Sequence, residues 1–348
     1  MNRLATIDLL RGISISVVIY IHFSMAWSQS WSDSMYHIWA YLDFLAAPMF
    51  VMVSCIGKIY SVNKQDGLIT PQTITRSSFL LIIGAFIWVF ECFSMNRWIL
   101  PCNLLFFMGL MQVITPCLMR LNGLACLFLA SMIYVFYFPL SSVEVIRYLL
   151  MDTTLMNPYL PWLLIPLLVI AIRKFLFLGK VESQKVVYFA IGLIIIALVT
   201  STFNTSSLIS VFARSYPQYI LFSLGIDLIL FSFVIKYESR IETRFKKIVN
   251  FGRLSLTGYV LSGLGFTIPI GLSMLLFHAI FPIILLLLIQ VLHVITTRYN
   301  EKFTMEWILL QYSRLLVHLN GVHGGEGNWH KLDWNTDWNN MEWVTLEF

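Results

Sequence analysis

Charged residues are scarce in this 348-residue sequence: Asp, Glu, Lys and Arg make up 12% of it, whereas soluble domains average about 25%. So few charges cannot cover the water-facing surface of a folded chain of this length. Hydrophobic residues account for 58% of the sequence, and the mean hydropathy is +0.78. The scarcity of charge therefore excludes an ordinary soluble enzyme and predicts a multi-pass integral membrane protein.

Signals for metal binding and for cleavage of the amino terminus are also lacking. The five cysteines show no C-x-x-C spacing, so no metal site is expected. No A-x-A-like cleavage site follows the first apolar segment, which is longer than the h-region of a typical signal peptide. We therefore expect this segment to be retained as a signal anchor.

The apolar runs are continuous and near the length of about 20 residues that spans a bilayer as a helix. They lack the alternation of polar and apolar residues that marks a transmembrane strand. The sequence therefore predicts an all-α, polytopic transmembrane helix bundle of about ten spanning helices. These helices are predicted at 9–28, 38–61, 76–95, 99–119, 122–139, 159–177, 185–203, 216–236, 252–273 and 275–297. A shorter helix, predicted at 303–318 to be interfacial or re-entrant, ends the transmembrane domain at 1–318, and a polar, Trp-rich tail follows at 319–348.

The distribution of Lys and Arg predicts the orientation of the bundle. With the amino terminus in the cytoplasm, 19 of the 23 basic residues fall at cytoplasmic helix ends, three at outer ends and one in the tail. This asymmetry follows the positive-inside rule and places both chain ends in the cytoplasm. It also accounts for the net charge of +5, so no nucleic-acid partner is expected. The expected location is the cytoplasmic membrane of a bacterium or archaeon, with lipids as partners and a homo-oligomer left open.

Three ionisable residues lie on one stripe of the first predicted helix. Arg11 and His22 are eleven residues apart, so on a helix they differ by about 20° in heading and about 16 Å in height. Asp8 and His22 differ in heading by about 40°. Ionisable residues inside a membrane are costly and normally face a protein interior, where they serve chemistry or transport. This stripe is therefore the first candidate site.

His22 and Asp43 predict a catalytic dyad near the outer side of the membrane. Counting from the outer ends of the first two predicted helices places both residues about 9 Å below the outer surface. A carboxylate beside an imidazole fixes its tautomer and raises its basicity, as a general base requires. The alternative is that Asp43 is only a buried hydrogen-bond partner. His37, in the predicted loop between the two helices, is a second candidate for the essential base.

The segment from Asn250 to Thr257, where the ninth helix is predicted to begin, has the features of an anion site. The backbone N–H groups at a helix start attract negative charge. Arg253 and Ser255 add a cation and a hydroxyl. With Asp8 and Arg11, they are predicted to hold an anionic ligand at the cytoplasmic side. For the basic residues, ordinary positive-inside charge and lipid contact are the alternative.

The opening segment Arg3 to Gly12, followed by an intramembrane His22, resembles the transmembrane acyltransferases, and most closely the heparan-α-glucosaminide N-acetyltransferase-like family. Three later stretches agree in order: Ala47 to Gly57, Leu160 to Trp162 and Phe251 to Thr257. The stretch Phe303 to Trp307 resembles a related bacterial family with a G-P-x-E-W end. The glycine-rich segment of the lysosomal members is absent, so their amino-sugar specificity is not carried over.

The resemblance implies transfer of an acyl group, with acetyl the expected one, from cytosolic acyl-CoA. The implied acceptor is a hydroxyl or amine of a sugar or lipid-linked glycan at the outer side of the membrane. Arg11 and Arg253 would meet the CoA phosphates. The resemblance also implies an essential His near the outer ends of the first two helices. The lysosomal pattern points to His37, and the pattern of other transmembrane acyltransferases points to His22.

A secondary transporter of a small anion or a lipid-linked sugar is the alternative function. Asp227 lies in the middle of the eighth predicted span, and an acid at that depth needs a partner, as in many transporters. Transporters commonly show inverted repeats and paired broken helices, which the sequence does not reveal. The acyl-CoA-dependent acetyltransferase is therefore the favoured hypothesis.

Overall fold

The computed structural model describes residues 5–27, 42–62, 70–95, 103–141, 143, 159–177, 183–204, 216–267, 273–299, 304–309 and 311–312. Within these ranges every regular element is a helix, which confirms the all-α prediction. Among the described residues, four helical stretches are long and apolar enough to cross a membrane: Ala5–Ser24, Ser183–Thr202, Pro217–Ile235 and Leu276–Arg298. The chain is thus an integral membrane protein, while the number of ten spans and the cytoplasmic position of both ends stay predictions.

The helices follow the predicted order, with several differences in their bounds. They are α1 (Ala5–Trp27), α2 (Ala47–Val62), α3 (Pro71–Met95), α4 (Leu104–Leu118), α5 (Gly123–Ser141), α6 (Tyr159–Trp162), α7 (Leu164–Ala171), α8 (Arg173–Phe177), α9 (Ser183–Asn204), α10 (Pro217–Ile235), α11 (Glu238–Arg244), α12 (Lys246–Arg253), α13 (Ser255–Thr267) and α14 (Met274–Arg298). Residues 304–312, of which 305–309 and 311–312 are helical, are called the terminal segment below. Among the positions of the predicted helix 303–318, residues 303, 310 and 313–318 lie outside the described ranges.

Helix α1 lies at the centre of the part of the bundle that carries the candidate site. It packs against α2 on one side and against α12 and α13 on another. Its buried residues Ile7, Leu10, Ile15 and Ile19 belong to the main hydrophobic core. The polar stripe of α1 therefore faces protein, as the cost of ionisable groups in a membrane requires.

Glycines allow α1 to approach α12 and α13 closely. A Cβ atom added at Gly252 would overlap the Asp8 carbonyl oxygen, and one added at Gly12 would overlap the Ile248 carbonyl oxygen. A Cβ at Gly258 would lie 2.6 Å from Ile15 Cγ2. Small residues at helix crossings are the usual way in which membrane helices bring their backbones together. Here the crossing places Arg253, the last residue of α12, beside the first turns of α1.

The second predicted span is interrupted. Residues 44–46 form a turn, in which the Ala46 N–H donates to the Asp43 carbonyl oxygen at 3.0 Å, and α2 begins at Ala47. Pro48 explains the position of this start. A proline has no N–H, so a helix tolerates it in the first turn but not further along. The prediction of one continuous helix over 38–61 was therefore wrong at residues 44–46.

The sixth predicted span, 159–177, is also divided, into α6, α7 and α8. Pro161 and Pro166 lie in its first half, where each removes a backbone donor. Arg173, at the start of α8, donates from Nη1 to the Met119 carbonyl oxygen at 2.6 Å and from Nη2 to the Leu121 carbonyl oxygen at 3.2 Å. These hydrogen bonds attach α8 to the turn between α4 and α5.

Candidate functional site

The first part of the site is a buried cluster of charges at the predicted cytoplasmic end of α1. Arg11 Nη1 lies 3.7 Å from Asp8 Oδ1, and Arg253 Nε lies 3.5 Å from Asp8 Oδ2. The side chain of Asp8 is 0% exposed and that of Arg11 is 1% exposed, whereas Arg253 is 31% exposed. The structure thus brings together three of the four residues predicted to bind the donor, on two helices that the glycine crossing holds in contact.

The charge of this cluster favours an anion. Two guanidinium groups share one carboxylate, so these three side chains carry a formal charge of +1. Removing charges from water costs several kcal/mol per ion unless the geometry and hydrogen bonds compensate. A partly exposed Arg253 beside a buried Asp8 can hold its guanidinium in place and still present it to a ligand from the cytoplasmic side.

The fourth predicted donor-binding residue, Ser255, lies at a helix start that the chain itself fills. Glu306 Oε1 accepts from the backbone N–H of Leu256 at 2.7 Å and from that of Thr257 at 3.1 Å. Its Oε2 accepts from the Thr257 hydroxyl. Ser255 itself is buried. The prediction of an open helix start was therefore wrong, because a carboxylate from the terminal segment satisfies the orphan N–H groups.

Glu306 gives a pH-dependent prediction. Burial raises the pKa of Glu306 to about 7, although hydrogen bonds from Thr257 and Leu256 lower it. In an unfolded chain the pKa of a glutamate is about 4.3. At a pH between these two pKa values, the folded protein therefore keeps a proton that the unfolded chain has released. The contribution of protonated Glu306 to the free energy of unfolding is present at low pH and is lost as the pH rises to about 7.

We therefore expect the wild type to lose thermal stability relative to the Glu306→Gln variant between about pH 5 and about pH 8. Glutamine can still accept one of the helix-start hydrogen bonds, so the variant is expected to fold. Unfolding temperatures in detergent, measured for both proteins across this range, provide the check. Parallel curves for the two proteins would contradict the assignment of a proton to Glu306.

The second part of the site is His22, which lies near the outer end of α1. Its Nδ1 is 3.1 Å from the Ser262 hydroxyl oxygen, and that hydroxyl donates to the Tyr259 carbonyl oxygen at 2.6 Å. Because Ser262 has one hydrogen and gives it to the carbonyl, its oxygen accepts from Nδ1–H. This hydrogen bond fixes the tautomer of His22 and makes Nε2 the basic nitrogen of the ring.

Ser262 and Tyr259 are site residues that the sequence reasoning missed. The Tyr259 ring packs edge-on against the His22 ring, with centroids 6.3 Å apart. Both residues lie on α13, and Ser255, Tyr259 and Ser262 are spaced so as to share one helix face. This i, i+4, i+7 spacing in an apolar helix was the available signal for a face that packs on α1.

The predicted partner of His22, Asp43, has a different described contact. The Tyr219 hydroxyl of α10 donates to Asp43 Oδ2 at 2.6 Å, and Asp43 is buried. Tyr219 had not been singled out from the sequence. The dyad of Asp43 with His22 remains a prediction that the described hydrogen bonds do not test.

The depth predicted for Asp43 needs correction. The Ser14 hydroxyl donates to the Ala46 carbonyl oxygen at 2.5 Å, which sets the turn before α2 level with Ser14. His22 is about 12 Å above Ser14 on α1, while a turn keeps Asp43 within about 7 Å of Ala46. Asp43 therefore lies roughly 5 Å or more deeper than His22. His37, the other predicted base, lies outside the described residues.

Asp227 is buried in the middle of α10, and neither of its carboxylate oxygens has a hydrogen-bond partner among the described residues. Gly225 faces Ala190 and Ile194 of α9. Asp227, two residues further on, therefore points about 200° away from α9, towards the interior of the bundle. This interior acid is the observation that the transport hypothesis rests on.

The two parts of the site lie at opposite ends of the interface that α1 forms with α12 and α13. Arg11 and His22 on α1 are separated by about 16 Å, and Arg253 and Ser262 along α12 and α13 by about 14 Å. Because α1 packs along both α12 and α13, the cationic end and the histidine end are joined by the same interface. A ligand with an anionic head and a long flexible arm matches this arrangement.

Comparison with protein families gives a match over residues 3–187 to the model described as heparan-alpha-glucosaminide N-acetyltransferase, catalytic. The match covers more than half of the chain and includes Asp8, Arg11, His22 and Asp43. The comparison with curated proteins and that with solved structures gave no match.

Proposed function

Since the chain belongs to the heparan-alpha-glucosaminide N-acetyltransferase catalytic family, we propose that it is a membrane acetyltransferase that uses cytosolic acetyl-CoA. The acceptor is a hydroxyl or amine of a sugar or lipid-linked glycan at the outer side of the membrane. One observation carries this proposal. A cationic cluster and a histidine whose tautomer is fixed by a hydrogen bond lie at opposite ends of the interface between α1 and the helices α12 and α13.

The donor end of the proposed site is the cluster of Asp8, Arg11 and Arg253. The phosphates of acyl-CoA are anions that guanidinium groups bind with charge-assisted hydrogen bonds. Asp8 positions both guanidinium groups. Arg253 is the partly exposed member and would make the first contact with the phosphates, and the acyl-bearing arm would then run along α1 towards His22.

The acceptor end is His22. Its Nε2 would take the proton of the acceptor hydroxyl or amine as the oxygen or nitrogen attacks the thioester carbonyl carbon. The carbon–sulfur bond breaks, a carbon–oxygen or carbon–nitrogen bond forms, and the leaving CoA thiolate receives the proton. Direct transfer in a ternary complex and transfer through an acyl-His intermediate both satisfy this balance.

An acetyl-transfer assay on the purified protein in detergent micelles tests the proposal. Radiolabelled acetyl-CoA is supplied with a panel of hydroxy sugars, amino sugars and lipid-linked sugars, and acetylated product is measured. We expect product with at least one acceptor class. A protein that forms none, yet accumulates an anion or sugar in proteoliposomes, would instead support the transport hypothesis.

Arg253 gives a prediction on donor binding. We expect Arg253→Ala to weaken acetyl-CoA binding about tenfold or more, since a hydrogen bond to a charged group contributes about 1.5–3 kcal/mol. The difference from wild type should shrink at high ionic strength, because Arg253 is partly exposed and salt screens its charge. Isothermal titration at low and high salt measures both effects.

The matched control for this prediction is Arg244→Ala, which removes an exposed cation from the last turn of α11. It should leave acetyl-CoA affinity close to that of wild type. Equal weakening by the two variants would show that general surface charge, rather than Arg253 itself, attracts the donor.

A further inference from the structure

Two cations that the proposed transfer does not use are buried together where α2 ends and α3 begins. Lys58 lies in the last turns of α2 and Arg76 in the second turn of α3, and each is only 7% exposed. Lys58 donates to Thr73, and Thr73 and Arg76 are i, i+3 neighbours on one face of α3, so the two cations lie close together. Ordinary positive-inside lysines and arginines lie at the surface, as Arg244 does, so burial sets this pair apart from such exposed cations.

The hydrogen-bond donors of Lys58 are only partly used. Its ammonium has three N–H donors, and one of them donates to the Thr73 hydroxyl oxygen at 2.7 Å. Among the residues that the structure describes, no carboxylate lies within ion-pair distance of Lys58. A buried ammonium with one neutral acceptor and a neighbouring like charge is costly. An anion beside the Lys58 ammonium would offset that cost.

The surroundings add further positive potential and hydroxyl groups. Thr73 belongs to the first turn of α3, a helix of 25 residues whose N-terminal end carries a partial positive charge. The Thr70 hydroxyl is 3.1 Å from the Thr73 hydroxyl and accepts from the Thr73 N–H at 3.2 Å. Two cations, hydroxyls and a helix start are the usual components of a phosphate site.

The terminal segment contacts helices beside both cationic groups, the Lys58 and Arg76 pair and the cluster of Asp8, Arg11 and Arg253, which is called the donor cluster below. Tyr312 packs on Phe79 of α3, with ring centroids 5.4 Å apart, and Glu306 binds the start of α13 next to Arg253. Glu306 and Tyr312 are six positions apart in the chain, so their Cα atoms lie within about 22 Å of each other. Arg76 and Phe79 are i, i+3 neighbours on α3. The two cationic places therefore flank one short segment at the same end of the bundle.

We propose that Lys58, Arg76 and the first turn of α3 form a binding site for a phosphate group, separate from the cluster of Asp8, Arg11 and Arg253. The inference about its source rests on the proposed function: acyl-CoA carries a ribose phosphate apart from its diphosphate, and the Lys58 site takes that ribose phosphate. An anionic lipid headgroup and free phosphate offer the same chemistry, so the experiment separates the three sources.

The test measures binding of acetyl-CoA and of acetyl-dephospho-CoA, which lacks the ribose phosphate, to wild type, Lys58→Met and Lys58→Arg. We expect wild type to prefer acetyl-CoA about tenfold or more. Lys58→Met should lose this preference while still binding the dephospho form, and Lys58→Arg should retain part of it. An unchanged preference in Lys58→Met would overturn the assignment of the ribose phosphate to this site.

Two further arms distinguish the source and separate this inference from the proposed function. Unfolding temperature is measured with inorganic phosphate and in nanodiscs with or without phosphatidylglycerol. Stabilisation that Lys58→Met abolishes supports a phosphate site, even if wild type binds neither thioester and the proposed function fails. Wild type and Lys58→Met responding alike to both additives and both thioesters would overturn the site altogether. Lys58→Met is expected to fold, since replacing a buried charge with a similar apolar volume is often neutral or stabilising.

Discussion

Replacing His22 with alanine is expected to lower the rate of acetyl transfer by about 10²–10⁴-fold, the range that a positioned general base contributes. Acetyl-CoA binding should be nearly unchanged, because the donor cluster lies about 16 Å away along α1. The unfolding temperature should change little, because His22 is only partly buried. Single-turnover transfer rates, donor affinity and thermal unfolding in detergent together check this expectation.

Two other variants sharpen the interpretation. Ser262→Ala removes the acceptor that fixes the His22 tautomer, so we expect a smaller loss of kcat, about tenfold, with little change in the KM for acetyl-CoA. His37→Ala separates the two histidine assignments. Full activity of His22→Ala together with inactivity of His37→Ala would remove His22 from the proposed chemistry and move the base to the segment outside the described residues.

Gly252→Ala is expected to have the largest effect on the structure. The added methyl group would overlap the Asp8 carbonyl oxygen, and backbone atoms cannot move aside as a flexible side chain can. Forcing α1 and α12 apart should cost about 1–3 kcal/mol or more and should separate Arg253 from Asp8. We expect a lower unfolding temperature and weaker acetyl-CoA binding in the same variant.

Gly263→Ala is the matched control, since it makes the same chemical change in the neighbouring helix α13. A Cβ atom at Gly263 meets nothing within 4 Å, and alanine is a better helix former than glycine by about 1 kcal/mol. This variant should be as stable as wild type or more so, with unchanged binding. If Gly252→Ala behaved like Gly263→Ala, the close helix crossing would not be what holds the donor cluster together.

The sequence was sufficient for the parts of the site that lie on one helix. The spacing of Asp8, Arg11 and His22 predicted a shared face of α1, and the structure buries Asp8 and Arg11 and places Arg253 against Asp8. This succeeded because the helical period and the cost of charge in a membrane act locally. The prediction that Arg253 faces the same ligand as Arg11 is supported by their common contact with Asp8, although ligand binding itself is untested.

The sequence was not sufficient where distant segments meet or where a helix is broken. Glu306 fills the start of α13 from about 50 positions away, and no local pattern reveals such a contact. Pro48 was available as a signal for the later start of α2, and overlooking it placed Asp43 level with His22. Tyr219 and Ser262 became visible only once α10 and α13 were placed beside the segments that they contact.

The helix crossing between α1 and α12 has a consequence for how the protein is made. His22 and Ser262 are 240 positions apart in the chain, so α1 must wait in the membrane until most of the polypeptide has been synthesised. Until then, its buried acid and arginine lack the partners from α12 and α13, and a quality-control protease could recognise them. Ribosome stalling before residue 250 should therefore leave a nascent chain that is inserted but has no assembled candidate site.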